Sequence, residues 1–430
     1  MTGGSTAERF GQDGRHEQNG RAGRDGRHGR DGPDGRDDAG VTYTHADDET
    51  LHVGLVVAGD LESTSGGFRY DRELVARLRE RGDAVDVIAL PRRGYLRGLA
   101  DGVDPRVRRR LDRDVDVLVQ DGLCHPAVWR HNRRLTGPDA VVGLVHHLRA
   151  DDPTERFGRG IAPFERRFLR SVDATVATSA FVRDRVAALA PAAASAPSIV
   201  AHPAGRAERA AASAAHVRDR AAEGPLRVVF VGTVVPRKDP ETLLEAVARI
   251  ADRREDVRVT VVGSLDADPG YASRLRSRAV DLGIDDRVTF AGELSDDELD
   301  AAVASAHVCC VPARYEAFGM VHLEAMERGV VPVAGAVGGV GEFVRDGTNG
   351  FLVTPGDDRE LADRLATLAA DRDRLGRLGV AALRTAEAHP TWTETADRIR
   401  RFLSAVASAG RGSPDHAGAD VTAATGGDRT

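Results

Sequence analysis

Apolar residues run in short unbroken blocks through the first half of the chain: HVGLVVAGD (52–60), AVDVIAL (84–90), DVDVLVQDG (114–122), AVVGLVHHL (140–148), ATVATS (174–179) and SIVAHPAG (198–205). Blocks without polar alternation are the pattern of strands buried on both faces, as parallel sheets require. Between them the apolar period lengthens. RYDRELVARLRERG puts Leu74, Val75 and Leu78 on one helical face before Gly82, and SAFVRDRV reads as a short helix capped by Ser179. The pattern restarts at LRVVFVGTV (226–234) and continues through VRVTVVGS, RVTFAGEL, HVCCVP and VVPVAG, with GEFVRDGTNGFLV as a turn and a strand. Helical periods fall between these blocks as well. Pro240 opens one helix with Leu243, Leu244 and Val247 inward, a second spans about 271–282, and SDDELDAAVASA carries a Ser295–Glu298 capping box. DDRELADRLATLAAD reads as a surface helix. TWTETADRIRRFLSAV reads as an amphipathic one with Trp392, Ile399, Phe402 and Leu403 inward.

Two successive strand–helix series predict an α/β protein of two doubly wound, parallel-sheet, Rossmann-like domains facing each other across a cleft. The first domain is placed at 50–203 and the second at 226–390, with an alanine- and arginine-rich connector at 204–225. The helix at 391–408 is expected to pack back towards the first domain. Residues 1–49 repeat GRDGR and DGPDG with almost no apolar side chains, and 409–430 return to glycine and aspartate. Both tails are expected to be disordered.

At 430 residues the chain is too long for one core. A net charge of -7 argues against a general nucleic-acid binder. Three cysteines, two of them adjacent, form no disulfide framework, so a reduced, cytoplasmic protein is expected. No apolar run is long enough to span a membrane, and the N-terminus lacks the apolar core of a secretory signal. Lys238 is the only lysine; every other basic side chain is an arginine. Arginine replaces lysine freely on solvated surfaces but not where a compact ammonium must fit, so the position of the exception is informative.

The stretch from Val311 to Gly341, VPARYEAFGMVHLEAMERGVVPVAGAVGGVG, carries most of the candidate chemistry. It reads as strand, loop, helix start, helix and strand, and ligands of open α/β sheets sit outside such strand ends. Glu316 lies in the loop, Phe318-Gly319 lead into the helix, and Glu324 sits about a turn and a half inside it. Two hydroxyl-binding carboxylates flanking a phosphate-binding turn suit a nucleotide sugar. Gly232, Arg237 and Lys238 fall on the first loop of the second domain, where cations beside a helix start favour phosphate. Gly66-Gly67, after the first strand, let backbone approach a ligand, although such a pair fits a tight turn equally well. His146-His147 end their strand at the edge where active-site residues collect, with a core or surface role as the alternative.

The motifs VGTVVPRKDPETLLEA, RVTFAGELSDDEL and RYEAFGMVHLEAMERGVVPVAGAVGGVGEFVRDGTNGFLV resemble glycosyltransferase family 4, the retaining group 1 enzymes of the two-domain GT-B fold. The resemblance covers about 226–404, and more loosely SGGF, LVHHL and DATVATSAFVRD in the first half. It implies a sugar transferred from a nucleotide diphosphate sugar to an acceptor hydroxyl with retained stereochemistry, without metal or other cofactor. It assigns Glu324 to the donor ribose and Glu316 to the donor sugar. Backbone of Ala317, Phe318, Gly319 and Met320 is assigned to the sugar and phosphates, and Lys238 to the diphosphate. Gly66 and Gly67 match the glycine loop near the diphosphate, and His146-His147 the histidine near the sugar. Thr233 stands where many members carry an arginine after the glycine, and Arg237 is the candidate to compensate. Alanine at Lys238, Glu316 or Glu324 is expected to remove transfer and leave the fold. A glycan or lipid-linked acceptor is implied, and the basic stretches RRGYLRG and RVRRR could meet an anionic membrane surface at the inner face. The competing readings are a nucleotide-sugar epimerase on the same fold and a non-catalytic two-lobed sugar-binding protein.

Overall fold

The computed structural model describes residues 50–411, apart from 64, 156, 207–211 and 252–255. The two tails expected to be disordered lie outside the described residues, except that the last helix runs through 409–411. The first half contains β1 (His52–Ala58), α1 (Gly66–Glu80), β2 (Ala84–Leu90), α2 (Tyr95–Asp101), α3 (Pro105–Leu111), β3 (Val117–Asp121) and α4 (His125–Asn132). It continues with β4 (Ala140–Val145), α5 (Gly158–Leu169), β5 (Ala174–Ala177), α6 (Ala180–Leu189) and β6 (Ser198–Val200). After α7 (Ala214–Ala221) come β7 (Leu226–Val231), α8 (Pro240–Ala251), β8 (Val257–Val262), α9 (Pro269–Asp281), β9 (Val288–Gly292) and α10 (Asp296–Ser305). The described residues end with β10 (Val308–Val311), α11 (Met320–Met326), β11 (Val331–Gly335), β12 (Phe351–Val353), α12 (Asp358–Ala370), α13 (Arg372–Glu387) and α14 (Trp392–Arg411).

The strands form two six-stranded sheets, ordered β2-β1-β3-β4-β5-β6 and β12-β11-β10-β7-β8-β9, with parallel ladders throughout. In each sheet the strand order reverses beside the first strand, between β1 and β3 and between β7 and β10. Crevices for ligands open at such reversal points, outside the carboxyl ends of the strands. Asp121 ends β3, and Gly66-Gly67 and His146 follow strand ends of the first sheet; Gly232 and the Glu316 loop follow strand ends of the second.

The unbroken apolar blocks became strands because both sheet faces are covered. β3 and β4 are buried along their whole length, as are β10 and β11. Among the helices that the apolar period leaves unassigned are α5 and α13. Pro163 lies within α5 and Gly376 and Gly379 within α13, which weakens both patterns. At Gly379 the glycine serves contact, since a Cβ there would lie 2.6 Å from the carbonyl oxygen of Gly329.

α14 packs on the first sheet, where Trp392, Ile399, Phe402 and Leu403 share a core with β1, β3, β4 and α1. Arg400 on α14 donates to both oxygens of Asp83, at 2.8 and 3.0 Å, in a buried bidentate pair. The Trp392 ring N–H donates to the carbonyl of Gly205 at 2.8 Å. α7 lies on the side of the second sheet, with Val217 against Val380 and Leu383 of α13.

Candidate active site

The loop between β10 and α11 is shaped by what it buries. Phe318 turns inward onto Phe343, with ring centroids 4.9 Å apart. Gly319 caps α11 at φ 96, a conformation that favours glycine, and a Cβ there would meet Val340 at 2.7 Å. Gly329, at φ 61, ends the turn after α11. The loop is held from the first domain too. The Ser179 hydroxyl donates to the Ala317 carbonyl at 2.8 Å, and the Tyr315 hydroxyl to the Leu148 carbonyl at 3.3 Å.

Lys238 reaches into this loop and its ammonium donates to the Glu316 carboxylate. The side chains are 14% and 13% exposed, so this is a nearly buried ion pair. Burial pushes the Glu316 carboxyl up, but the charges of Lys238 and Arg237 outweigh it and hold the group below the usual carboxylate range. The Lys238 stem also lies over Gly232, 3.7 Å from where a Cβ would stand. Arg237 donates to the Tyr315 carbonyl at 3.1 Å and lies 3.5 Å from Asp152 of the first domain. His322 is buried beside the pair, and burial pushes it down to about 4 against the raising charge of Glu316.

Glu324 is held by two cations. Arg69 on α1 donates to one carboxylate oxygen at 2.5 Å and Arg206 to the other at 3.1 Å. Arg69 also binds the Gly205 carbonyl at 3.1 Å, so α1, the chain at 205–206 and α11 meet at this carboxylate. For Lys238 and Glu316 the pair adds a stability cost to the expected loss of transfer. Removing one partner of a nearly buried pair strands the other charge, which costs stability as well as activity.

On the first domain, Ser65 caps α1 through the Phe68 N–H, so Gly66 and Gly67 are its first two residues. A Cβ on Gly66 would stand 3.4 Å from the Met320 sulfur, across the cleft, and one on Gly67 3.4 Å from the His146 ring. His146 Nε2 is 2.9 Å from Asp71 Oδ1 on α1. Burial pushes the His146 ring down, but the charge and hydrogen bond of Asp71, with Asp121 behind, outweigh it and raise the ring to about 8. His147 behaves oppositely: burial and then the Arg237 and His146 charges push it down to about 4. At neutral pH the two histidines therefore differ in charge. Across the cleft the structure sets Gly66 against Met320, Arg69 of α1 against Glu324 and Asp152 beside Arg237, while Gly67 lies against His146 within the first domain.

Several neighbours of the site carry no local signal. Arg69 and Arg206 are 255 and 118 positions from the glutamate they hold. Glu342, in the GGVGE turn, accepts from the N–H groups of Ala180 and Phe181 at the start of α6, at 3.0 and 2.8 Å. It also accepts from His202 at 2.8 Å. Asp71, Asp121 and His146 place one ligand-type atom each within 4.8 Å of one another, the grouping among the described residues that could hold a metal ion. The Asp266–Asp268 loop lies elsewhere. Asp266 lines a cavity of about 380 Å³ with Leu265, Pro269, Arg276 and Glu293, at the ends of β8 and β9. That cavity adjoins the Gly232 loop, since a Cβ on Gly263 would overlap the Gly232 carbonyl.

Comparison with known proteins identifies the family and the fold. Residues 214–384 match the family model described as glycosyl transferases group 1. A GDP-mannose-dependent alpha-(1-6)-phosphatidylinositol monomannoside mannosyltransferase of Mycobacterium tuberculosis is 31% identical over 320 residues, covering 70% of this chain and 79% of the relative. A D-inositol 3-phosphate glycosyltransferase of Geodermatophilus obscurus is 38% identical over 200 residues, covering 45% of this chain and 44% of the relative. Among solved structures, a sucrose-phosphate synthase from Thermosynechococcus elongatus superposes with a TM-score of 0.70 at 22% identity, over 84% of this chain and all of that one. Anabaena HepE in complex with UDP-glucose superposes with a TM-score of 0.66 at 19% identity, over 82% and 99%. The fold is GT-B, and the chain belongs to the group 1 glycosyl transferases, enzymes that move a sugar from a nucleotide sugar to an acceptor.

Proposed function

We propose that this enzyme transfers a hexosyl group, with retained stereochemistry, from a GDP-sugar to a hydroxyl of a lipid-linked or glycan acceptor, without a metal ion. The observation that carries the reading is the lone lysine of the chain, held in the donor loop by Glu316. The donor pyrophosphate replaces Glu316 as the partner of the Lys238 ammonium, with the backbone N–H groups of Gly319 and Met320 beside it. Charge that develops on the departing diphosphate then meets a fixed cation in a site shielded from water, where such stabilisation is strongest. Glu316, released, accepts from the sugar hydroxyls, and Glu324 exchanges its arginines for the ribose. Closure of the cleft keeps water from competing with the acceptor.

Guanine is favoured by the cavity beside the Gly232 loop. Its N1–H and amino groups form a paired donor edge that one carboxylate accepts, and Asp266 and Glu293 both line the space. Uracil offers a single donor there. The mannosyltransferase relative is GDP-mannose-dependent by name. In a thermal-shift series, GDP at a hundred times its Kd is expected to stabilise the protein by about 2.7 kcal/mol. UDP and ADP at equal concentration should do markedly less, and excess EDTA should change neither binding nor transfer. Equal shifts for all three would remove the guanine assignment.

No helix among the described residues is long and apolar enough to cross a membrane. A lipid-linked acceptor would instead be met at the surface, by α2 and α3. Leu96 and Val103 are 80% and 58% exposed there, among the exposed Arg92, Arg93, Arg97, Arg106, Arg108, Arg109 and Arg110. Basic side chains near an anionic leaflet contribute about 1 kcal/mol each. The protein is expected to sediment with phosphatidylserine vesicles at low salt and to release at high salt. Equal sedimentation with neutral vesicles would show that charge is not the cause.

A further inference from the structure

We propose that Asp71 is a positioning residue that fixes His146 as an imidazolium and orients its free N–H towards the donor sugar and its phosphates, with Asp121 as a second, supporting carboxylate. The proposal rests on the donor-site reading above, since it places His146 beside that donor. Asp71 stands on the second turn of α1, fully buried, with Oδ1 2.9 Å from His146 Nε2. Its other oxygen, Oδ2, is buried and meets no hydrogen-bond partner. A buried, half-satisfied carboxylate is costly, and such a group persists where a neighbouring cation stabilises it. The imidazolium is that cation.

The surroundings hold the ring in one orientation. Gly67 approaches its Cδ2 edge, and Tyr70 meets it edge-on at 5.2 Å between centroids. Tyr70 is itself tied to the Ala201 carbonyl at 2.9 Å. Because Nε2 is committed to Asp71, Nδ1 is the nitrogen left for a ligand. Asp121, at the end of β3, accepts from the Leu123 N–H at 2.9 Å. Burial raises its carboxyl to about 6, against the lowering charge of His146. The titratable groups that face the ring are therefore Asp71 and Tyr70 from α1, Asp121 at the end of β3, and His147 next in the chain. Of these, Asp71 alone hydrogen-bonds the ring. A permanent N–H donor at Nδ1 stabilises negative charge on a phosphate or a sugar oxygen in the transition state. It transfers no proton and forms no covalent bond.

The test is Asp71→Asn, which keeps shape and removes charge. Transfer is expected to fall about a hundredfold in kcat with little change in KM for the donor. The wild-type rate should fall as pH rises through about 8, where the ring loses its proton. In Asp71→Asn that alkaline limb should move down by about one to three pH units. His146→Gln should abolish the limb, and adding Asp71→Asn to it should cost little more. The histidine resonance of His146 in isotope-labelled protein reports the same shift without any substrate. Failure of the donor reading would leave that titration intact, so the two failures are distinguishable. An ordinary His146 titration in wild type, or an unmoved limb in Asp71→Asn, overturns the proposal. So does stoichiometric binding of Zn²⁺ or Mn²⁺ that Asp71→Asn abolishes, because the three groups would then be ligands.

Discussion

Lys238→Ala is expected to lower kcat/KM about a thousandfold and, in the protein without donor, to cost about 3–5 kcal/mol of stability. The first effect follows from removing the cation at the departing diphosphate. The second follows from the pair itself, since Glu316 would remain nearly buried with no ammonium beside it. The sign of the pH dependence follows from the same balance. In the wild type Glu316 is held below the usual carboxylate range, so its contribution is present at neutral pH and fades on acidification. In the variant burial dominates and pushes the carboxyl up, so the stability deficit is largest at pH 7–8 and shrinks towards pH 5. A second variant separates the effects. Lys238→Ala combined with Glu316→Gln should regain most of the lost stability, because no charge is left stranded, while transfer stays absent. Denaturant titration at two pH values and initial rates with saturating acceptor measure both. Full transfer by a folded Lys238→Ala protein would put the pyrophosphate somewhere else and end this account of the site.

How much of this was legible depends on how local each signal is. The strands could be read because parallel sheets covered on both faces demand unbroken apolar blocks, and Cys309-Cys310 inside β10 are no less buried than its valines. Lys238, Glu316 and Gly319 could be read because each sits at a strand end or helix start, where position in the chain already implies position in the fold. The partners that complete the site could not. Arg69 is one of many exchangeable arginines until α1 and α11 are brought together, and nothing near residue 342 announces that its carboxylate will cap a helix starting at Ala180. Asp71 falls three, four and seven positions before Leu74, Val75 and Leu78, on the inward face of α1, but no local signal says that His146 stands opposite its carboxylate. Helix α13 was obscured by Gly376 and Gly379, which weaken the local propensity, although Gly379 permits a close approach to Gly329. Long-range charge pairing and backbone approach are properties of the assembled fold, and no window of sequence contains them.

Gly338→Ala is expected to be nearly as damaging as loss of the lysine, although residue 338 carries no chemistry. Gly338 adopts φ 68, and a Cβ there would fall inside the carbonyl oxygen of Glu316. The next N–H, of Gly339, donates to the Glu316 and Ala317 carbonyls at 3.2 Å each, so the GGVGE turn grips the loop that carries Glu316. Alanine pays about 1–2 kcal/mol for the left-handed conformation. The overlap adds about 1–3 kcal/mol of packing strain, which the loop relieves by moving Glu316 away from Lys238. A displacement of about 1 Å at a reacting centre costs on the order of a hundredfold in rate. Gly347→Ala is the matched control: its φ is 69, but nothing lies within 4 Å of a Cβ there. It should lose only the conformational part of the stability and keep its transfer rate. Equal loss of activity in the two variants would mean that left-handed backbone, rather than the grip on Glu316, is what Gly338 supplies.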